Sequence, residues 1–133
     1  MNDALGTFPI ETAVDRIDDV VRIVLTVDLP EGTHIEPHEP TDPFLIPTVV
    51  TVNGLEDPTV EYPTPVEKDL GFHDTVLTVL AGQLRFAITG RVQTDIHQVG
   101  GGLTYQPCIG GACLPPRTTI WTVSPETTTT FAA

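Results

Sequence analysis

Two cysteines, Cys108 and Cys113, are the residues of this chain best suited to chemistry, and the only other sulfur is Met1. Two thiols this close in sequence can bond to each other or bind something together. Structural zinc takes four ligands, usually from closely spaced pairs. The histidines His34, His38, His73 and His97 are scattered and could complete such a set only through folding. A blue-copper site needs a histidine, and usually a methionine, shortly after the second cysteine. Neither residue occurs between Cys113 and the C-terminus. No metal and no cofactor are therefore expected.

The sequence around the pair favours a disulfide. Leu103 to Trp121 reads as a hairpin-like excursion between two strands, with Gly110 and Gly111 free to adopt the positive φ of a reversal. Pro107, Pro115 and Pro116 cannot donate ladder hydrogen bonds, so regular pairing should stop beside the cysteines. Opposed, non-hydrogen-bonded residues of an antiparallel pair have Cα atoms about 4.5 Å apart, within disulfide range. Closing so short a loop stabilises a fold by only ~2 kcal/mol on chain-entropy grounds. The bond would also join neighbours that the hairpin already holds. Local physics leaves two readings open, a redox pair and a plain local staple.

The rest of the chain must position that hairpin. At 133 residues it has the length of one domain, expected to span 1–133 with its core at about 10–125 and a frayed Thr-rich tail at 126–133. Alternation with period two marks strands at Val21–Leu29 and Leu84–Ile88, and a third is expected at Arg117–Val123. Val49–Asn53, Thr59–Tyr62, Thr75–Leu80 and Gly102–Gln106 add shorter extended segments. Turn signals separate them at Pro30-Glu31-Gly32, Asn53-Gly54, Ala81-Gly82 and Gly100-Gly101-Gly102. Gly32 to Pro47 is proline-rich and reads as a long ordered loop or irregular crossover. No helical stripe stands out. The expectation is an all-β, antiparallel β-sandwich of seven or eight strands with Trp121 in its core.

Charge narrows the partners. Six basic against eighteen acidic residues give −12, a field that repels a phosphate backbone, so nucleic-acid binding is not expected. Asp15, Asp18 and Asp19 read as a solvated face. The longest apolar run, Phe44–Val50, is broken by Pro47 and falls short of a bilayer span. Met1–Phe8 lacks the basic start and apolar stretch of a signal peptide. No spacing of Ser, His and Asp, and no pair of carboxylates at a recognisable turn, suggests hydrolytic catalysis.

The stretch Tyr105-Gln106-Pro107-Cys108, four residues, Cys113-Leu114-Pro115-Pro116 and then a strand resembles the signature of the N-terminal periplasmic domain of the DsbD thiol:disulfide interchange family. Upstream, Val21–Asp28 followed by Gly32-Thr33-His34-Ile35 is similar to that family's second conspicuous stretch. Tyr62-Pro63, Pro65, Leu70-Gly71 and the strand at Leu84–Ile88 are similar to its middle part. The resemblance spans about residues 15 to 125. It implies an immunoglobulin-like sandwich with a redox-active cysteine pair at a hairpin tip. It further implies a protein-disulfide reductase module that takes electrons from a membrane-embedded donor domain and passes them to thioredoxin-fold proteins outside the cytoplasm. Cys113 would form the mixed disulfide with the partner, and Cys108 would resolve it. The module would be monomeric, extracytoplasmic and not itself membrane-spanning, as part of a larger exported or membrane-anchored protein.

The resemblance also implies an aromatic cap over the cysteines, carried here by the loop Glu67–Phe72, where Leu70 and Phe72 are the candidates. Aromatic residues that commonly line such a site are replaced by His34 and Glu36. An imidazole and a carboxylate there could assist proton transfer, or could simply be solvated loop residues. Tyr105 is expected to line the site or support the hairpin. The alternative function is a non-catalytic immunoglobulin-like interaction module with a structural disulfide.

Overall fold

A computed structural model describes residues 6–40, 44–68 and 77–126. The strands are β1 (Glu11–Ile17), β2 (Val20–Asp28), β3 (Thr33–His34), β4 (Val49–Asn53), β5 (Glu56–Glu61) and β6 (Val66–Lys68). They continue as β7 (Leu77–Val79), β8 (Gln83–Arg91), β9 (Val99–Tyr105), β10 (Cys108–Ile109), β11 (Ala112–Cys113) and β12 (Arg117–Val123). No helix occurs among the described residues, so none is long and apolar enough to cross a membrane.

Two antiparallel sheets form the body, ordered β1-β2-β8-β5 and β12-β9-β4. Alternation explains why they face each other. Val21, Ile23, Leu25 and Val27 of β2 and Leu84, Phe86 and Ile88 of β8 point inward from one sheet. Val50 of β4, Val99, Leu103 and Tyr105 of β9, and Trp121 and Val123 of β12 meet them from the other. This is the antiparallel β-sandwich that the period-two pattern predicts, immunoglobulin-like as the resemblance implies. Phe8 joins the same cluster.

Three features differ from the sequence reading. Gly100-Gly101-Gly102 is not a turn; it lies inside β9, paired to β12 on one side and β4 on the other. Here glycine permits close approach rather than reversal, because a Cβ at Gly101 would collide with the Thr51 carbonyl and crowd the Trp121 ring. β1 pairs with β2 along its whole length. It escapes an alternation search because, as an edge strand, it fully buries only Val14. Among the described residues the strands number twelve because β3, β6, β7, β10 and β11 are only two or three residues long.

Those short strands build the end of the sandwich that carries the cysteines. β10 pairs with β11 on one side and β3 on the other. Ile35 then bridges Leu80, each donating its N–H to the other's carbonyl at 3.0 and 2.8 Å. That bridge joins β3 to the β6–β7 hairpin, giving a small sheet in the order β11, β10, β3, β7, β6. The proline-rich crossover between Gly32 and Pro47 thus contains one of its strands.

Candidate functional site

Cys108 and Cys113 are directly opposed across β10 and β11 and form a disulfide, with Cα atoms 3.9 Å apart. Gly110 and Gly111 make the two-residue turn between them, with φ of 58° and 88°. Positive φ at both central residues is the backbone of a type I′ hairpin, which glycine adopts without steric cost. The Leu114 N–H donates to the Pro107 carbonyl at 2.8 Å. Pro107 and Leu114 are therefore a hydrogen-bonded pair, which makes the adjacent cysteines the closer, non-hydrogen-bonded pair. Pairing stops at the prolines on both sides, as expected.

The two cysteines sit in different environments. Cys108 is 3% exposed, held in the middle strand of the small sheet. Cys113 is exposed, on the edge strand. Alternation of the ladder turns the Cys113 N–H and C=O away from β10, toward the open edge. Of the two residues, Cys113 is the exposed one and Cys108 the shielded one.

His34 is the register partner of Cys108 on the opposite side of β10. Residues opposed in a ladder project to the same face, so His34, Cys108 and Cys113 form one row across three strands. His34 is 7% exposed. Ile35, between His34 and Glu36, turns its backbone to Leu80 and its side chain into the core, so Glu36 continues on the face of His34. Glu36 is 4% exposed, and its Oε1 has no hydrogen-bond partner. Thr48 fixes this segment. Its hydroxyl donates to the Glu36 carbonyl at 2.5 Å, and its own carbonyl lies 2.9 Å from His38 Nδ1. His38 in turn stacks on Tyr62, with ring centroids 4.0 Å apart.

Tyr105 belongs to the core rather than to this row. Its hydroxyl accepts the Phe8 N–H at 3.1 Å and lies 3.3 Å from Thr119 Oγ1, so it braces β9 just before the hairpin. Leu70 and Phe72, the candidate caps, lie outside the described residues. Among the described residues no cluster of three or more His, Cys, Asp or Glu could hold a metal. Sequence reasoning missed Thr48, Ile35 and Leu80 as supports of the site. Each acts through a contact distant in sequence, which no local pattern signals.

Burial raises the Glu36 pKa above the ordinary carboxylate range by desolvating the charged form. A carboxyl whose folded pKa is raised leaves stability intact below its unfolded pKa, then costs stability as pH climbs through the raised value. Glu36→Gln should thus melt like the parent near pH 4. It should become the more stable protein as pH rises to 8, because the amide has no charge to desolvate. Thermal melts of both proteins across that range check it, and parallel curves would contradict it.

No protein-family model matches the chain, and no curated protein matches it in sequence. Among solved structures it superposes on the N-terminal periplasmic domain of ScsB from Proteus mirabilis with a TM-score of 0.70 and 17% identity, over 88% of this chain. The fold is that of the ScsB N-terminal domain. This chain spans 46% of that ScsB chain. The N-terminal domain of Neisseria meningitidis DsbD in its reduced form aligns with a TM-score of 0.49 and 18% identity, over 92% of this chain and 93% of that one. A structure of the complex between the N-terminal domains of DsbD and PilB from the same organism aligns at 0.48 and 19%, over 89% of each chain. The DsbD-like reading of the cysteine motif and the ScsB-like sandwich thus agree on the fold.

Proposed function

We propose that this protein is a thiol–disulfide exchange module whose Cys108–Cys113 pair relays reducing equivalents. The observation that carries this reading is the asymmetry of the pair, one cysteine exposed on an edge strand and the other buried beside it. Exchange proceeds by attack of a thiolate on a disulfide sulfur. In the reduced protein the Cys113 thiolate attacks a partner disulfide and forms a mixed disulfide, releasing one partner thiol. Cys108 then attacks Cys113, closes the internal disulfide and releases the second partner thiol. Two electrons and two protons pass to the partner. Attack of a donor thiolate on the Cys113 sulfur, run in reverse, recharges the pair.

The partners in this reading are thioredoxin-fold proteins outside the cytoplasm, and the donor is a membrane-embedded reductase domain. Its support is the resemblance of the cysteine motif to the DsbD family and the shared fold with a periplasmic domain. Cys-x-x-Cys sites of thioredoxin-fold proteins supply good leaving groups, so the relay works without a strongly acidified thiol. The protein is proposed to act as a single extracytoplasmic domain within a larger exported or membrane-anchored chain.

The test is the reduction potential of the pair, from equilibration of the folded protein in graded thiol buffers. The exchange reading expects about −180 to −270 mV, the range of working exchangers. A value below about −300 mV would make the bond a structural staple and the protein an interaction module.

A further inference from the structure

The buried member of the pair poses a chemical problem that its exposed partner does not. The nucleophile in exchange is the thiolate, and to resolve a mixed disulfide the Cys108 thiol must lose its proton. Burial disfavours an anionic sulfur, and Cys108 is 3% exposed. Cys113 can pass its proton to water, whereas Cys108 needs an acceptor within the protein.

The structure places one beside it. His34 lies directly across the ladder from Cys108, on the same face of the small sheet. Such pairs have Cα atoms about 5.5 Å apart, close enough for an imidazole to meet a cysteine side chain. Glu36 follows two residues along that face, a rise of about 6.6 Å, with a buried oxygen that has no partner. A buried carboxyl oxygen left unpaired is costly, and no hydrogen bond within the fold accounts for this one.

We propose that His34 and Glu36 form an internal proton relay for Cys108. The imidazole accepts the Cys108 proton as its sulfur attacks Cys113. The Glu36 carboxylate balances the resulting imidazolium charge, and the proton is returned to the departing partner thiolate. The bond formed is Cys108 Sγ–Cys113 Sγ, and the bond broken is Cys113 Sγ to the partner sulfur. In the opposite direction the relay protonates Cys108 as it leaves. Desolvation, which makes the Glu36 carboxyl more basic, brings it closer to a thiol in proton affinity.

Among the described residues, the other ionisable groups of the neighbouring elements leave that role to these two. Ile109 and Ala112, which complete β10 and β11, do not titrate, nor do Leu77–Leu80. Tyr105 spends its hydroxyl on Phe8 and Thr119. His38 is held by Thr48 and Tyr62. Glu39 and Glu67 are exposed, and Arg117, the register partner of Tyr105, reaches the Pro115 carbonyl at 3.4 Å.

This inference rests on the exchange reading, and its test separates the two. The reduced protein is mixed with glutathione disulfide, quenched in acid at intervals, and the mixed-disulfide and internally oxidised species are quantified by mass. The parent should pass rapidly through the mixed species. Glu36→Gln and His34→Gln should accumulate it, with resolution at least tenfold slower at pH 7. Their resolution rates should also climb tenfold per pH unit, tracking hydroxide, where the parent's profile levels off. The glutamine at 36 is isosteric, so it decides the question even if the His34 variant does not fold. Parental resolution rates and pH profiles in the Glu36→Gln variant would overturn the relay and leave exchange standing. A parent that becomes neither a mixed disulfide nor internally oxidised would overturn both.

Discussion

A Cys113→Ala variant is expected to transfer no electrons to an oxidised thioredoxin-fold partner above background, while keeping the sandwich intact. Cys113 is the exposed member of the pair, on the edge strand where a partner can approach, and Cys108 is buried beside it. Cys108→Ala should also fail to turn over, but differently: Cys113 can still attack, and with no resolving thiol the mixed disulfide should persist and be isolable. Both variants should melt close to the reduced parent. Relative to the oxidised parent they should lose about 2 kcal/mol, the value of closing so short a loop on chain-entropy grounds. Turnover followed by stopped-flow fluorescence, with intact mass for trapped species, gives the answer. Normal turnover by Cys113→Ala would end the exchange reading. A far larger loss of stability would point to a structural bond.

How much of this site the sequence discloses depends on how local each contact is. The disulfide is legible because its turn, its glycines and its flanking prolines lie within one short stretch. Strands β2 and β8 are legible because burial of one face imposes period two, and the bounds expected for the short segment β4 and the Thr-rich β12 match the observed ones. His34 is different. Its type and its nearness to the site can be suspected, but its place opposite Cys108 comes from pairing between two-residue strands far apart in the chain. The fate of Glu36 depends on Thr48 and on the Ile35–Leu80 bridge, which only the folded chain brings together. Residues 100–102 misled for a related reason. Glycine marks a reversal when its φ is positive and a close approach when a neighbour fills the space a side chain would take, and composition cannot tell these apart.

That distinction yields the largest stability effect expected of a single methyl group in this protein. Gly101→Ala places a Cβ against the backbone carbonyl of Thr51, in a strand that cannot give way as a side chain could. The Trp121 ring closes the other direction, with Cζ2 3.2 Å from the same point. Relief requires β4 to separate from β9 or Trp121 to leave its seat in the core, and either change opens the interface of the two main sheets. The loss should reach about 4 kcal/mol, at the severe end for single substitutions, lowering the melting temperature by roughly 10–25 °C. Gly102→Ala, one residue along, is the control. Its Cβ would face the outer side, where the nearest atom is Thr118 Cγ2 at 3.1 Å, the end of a side chain. It should cost about 1 kcal/mol or less, as overpacking against a yielding neighbour does. Because β9 runs into the cysteine hairpin through Gln106 and Pro107, Gly101→Ala should also impair exchange at temperatures where Gly102→Ala remains fully active. Equal melting of the two variants would mean that β4 and β9 do not pair in the register that sets Thr51 against Gly102.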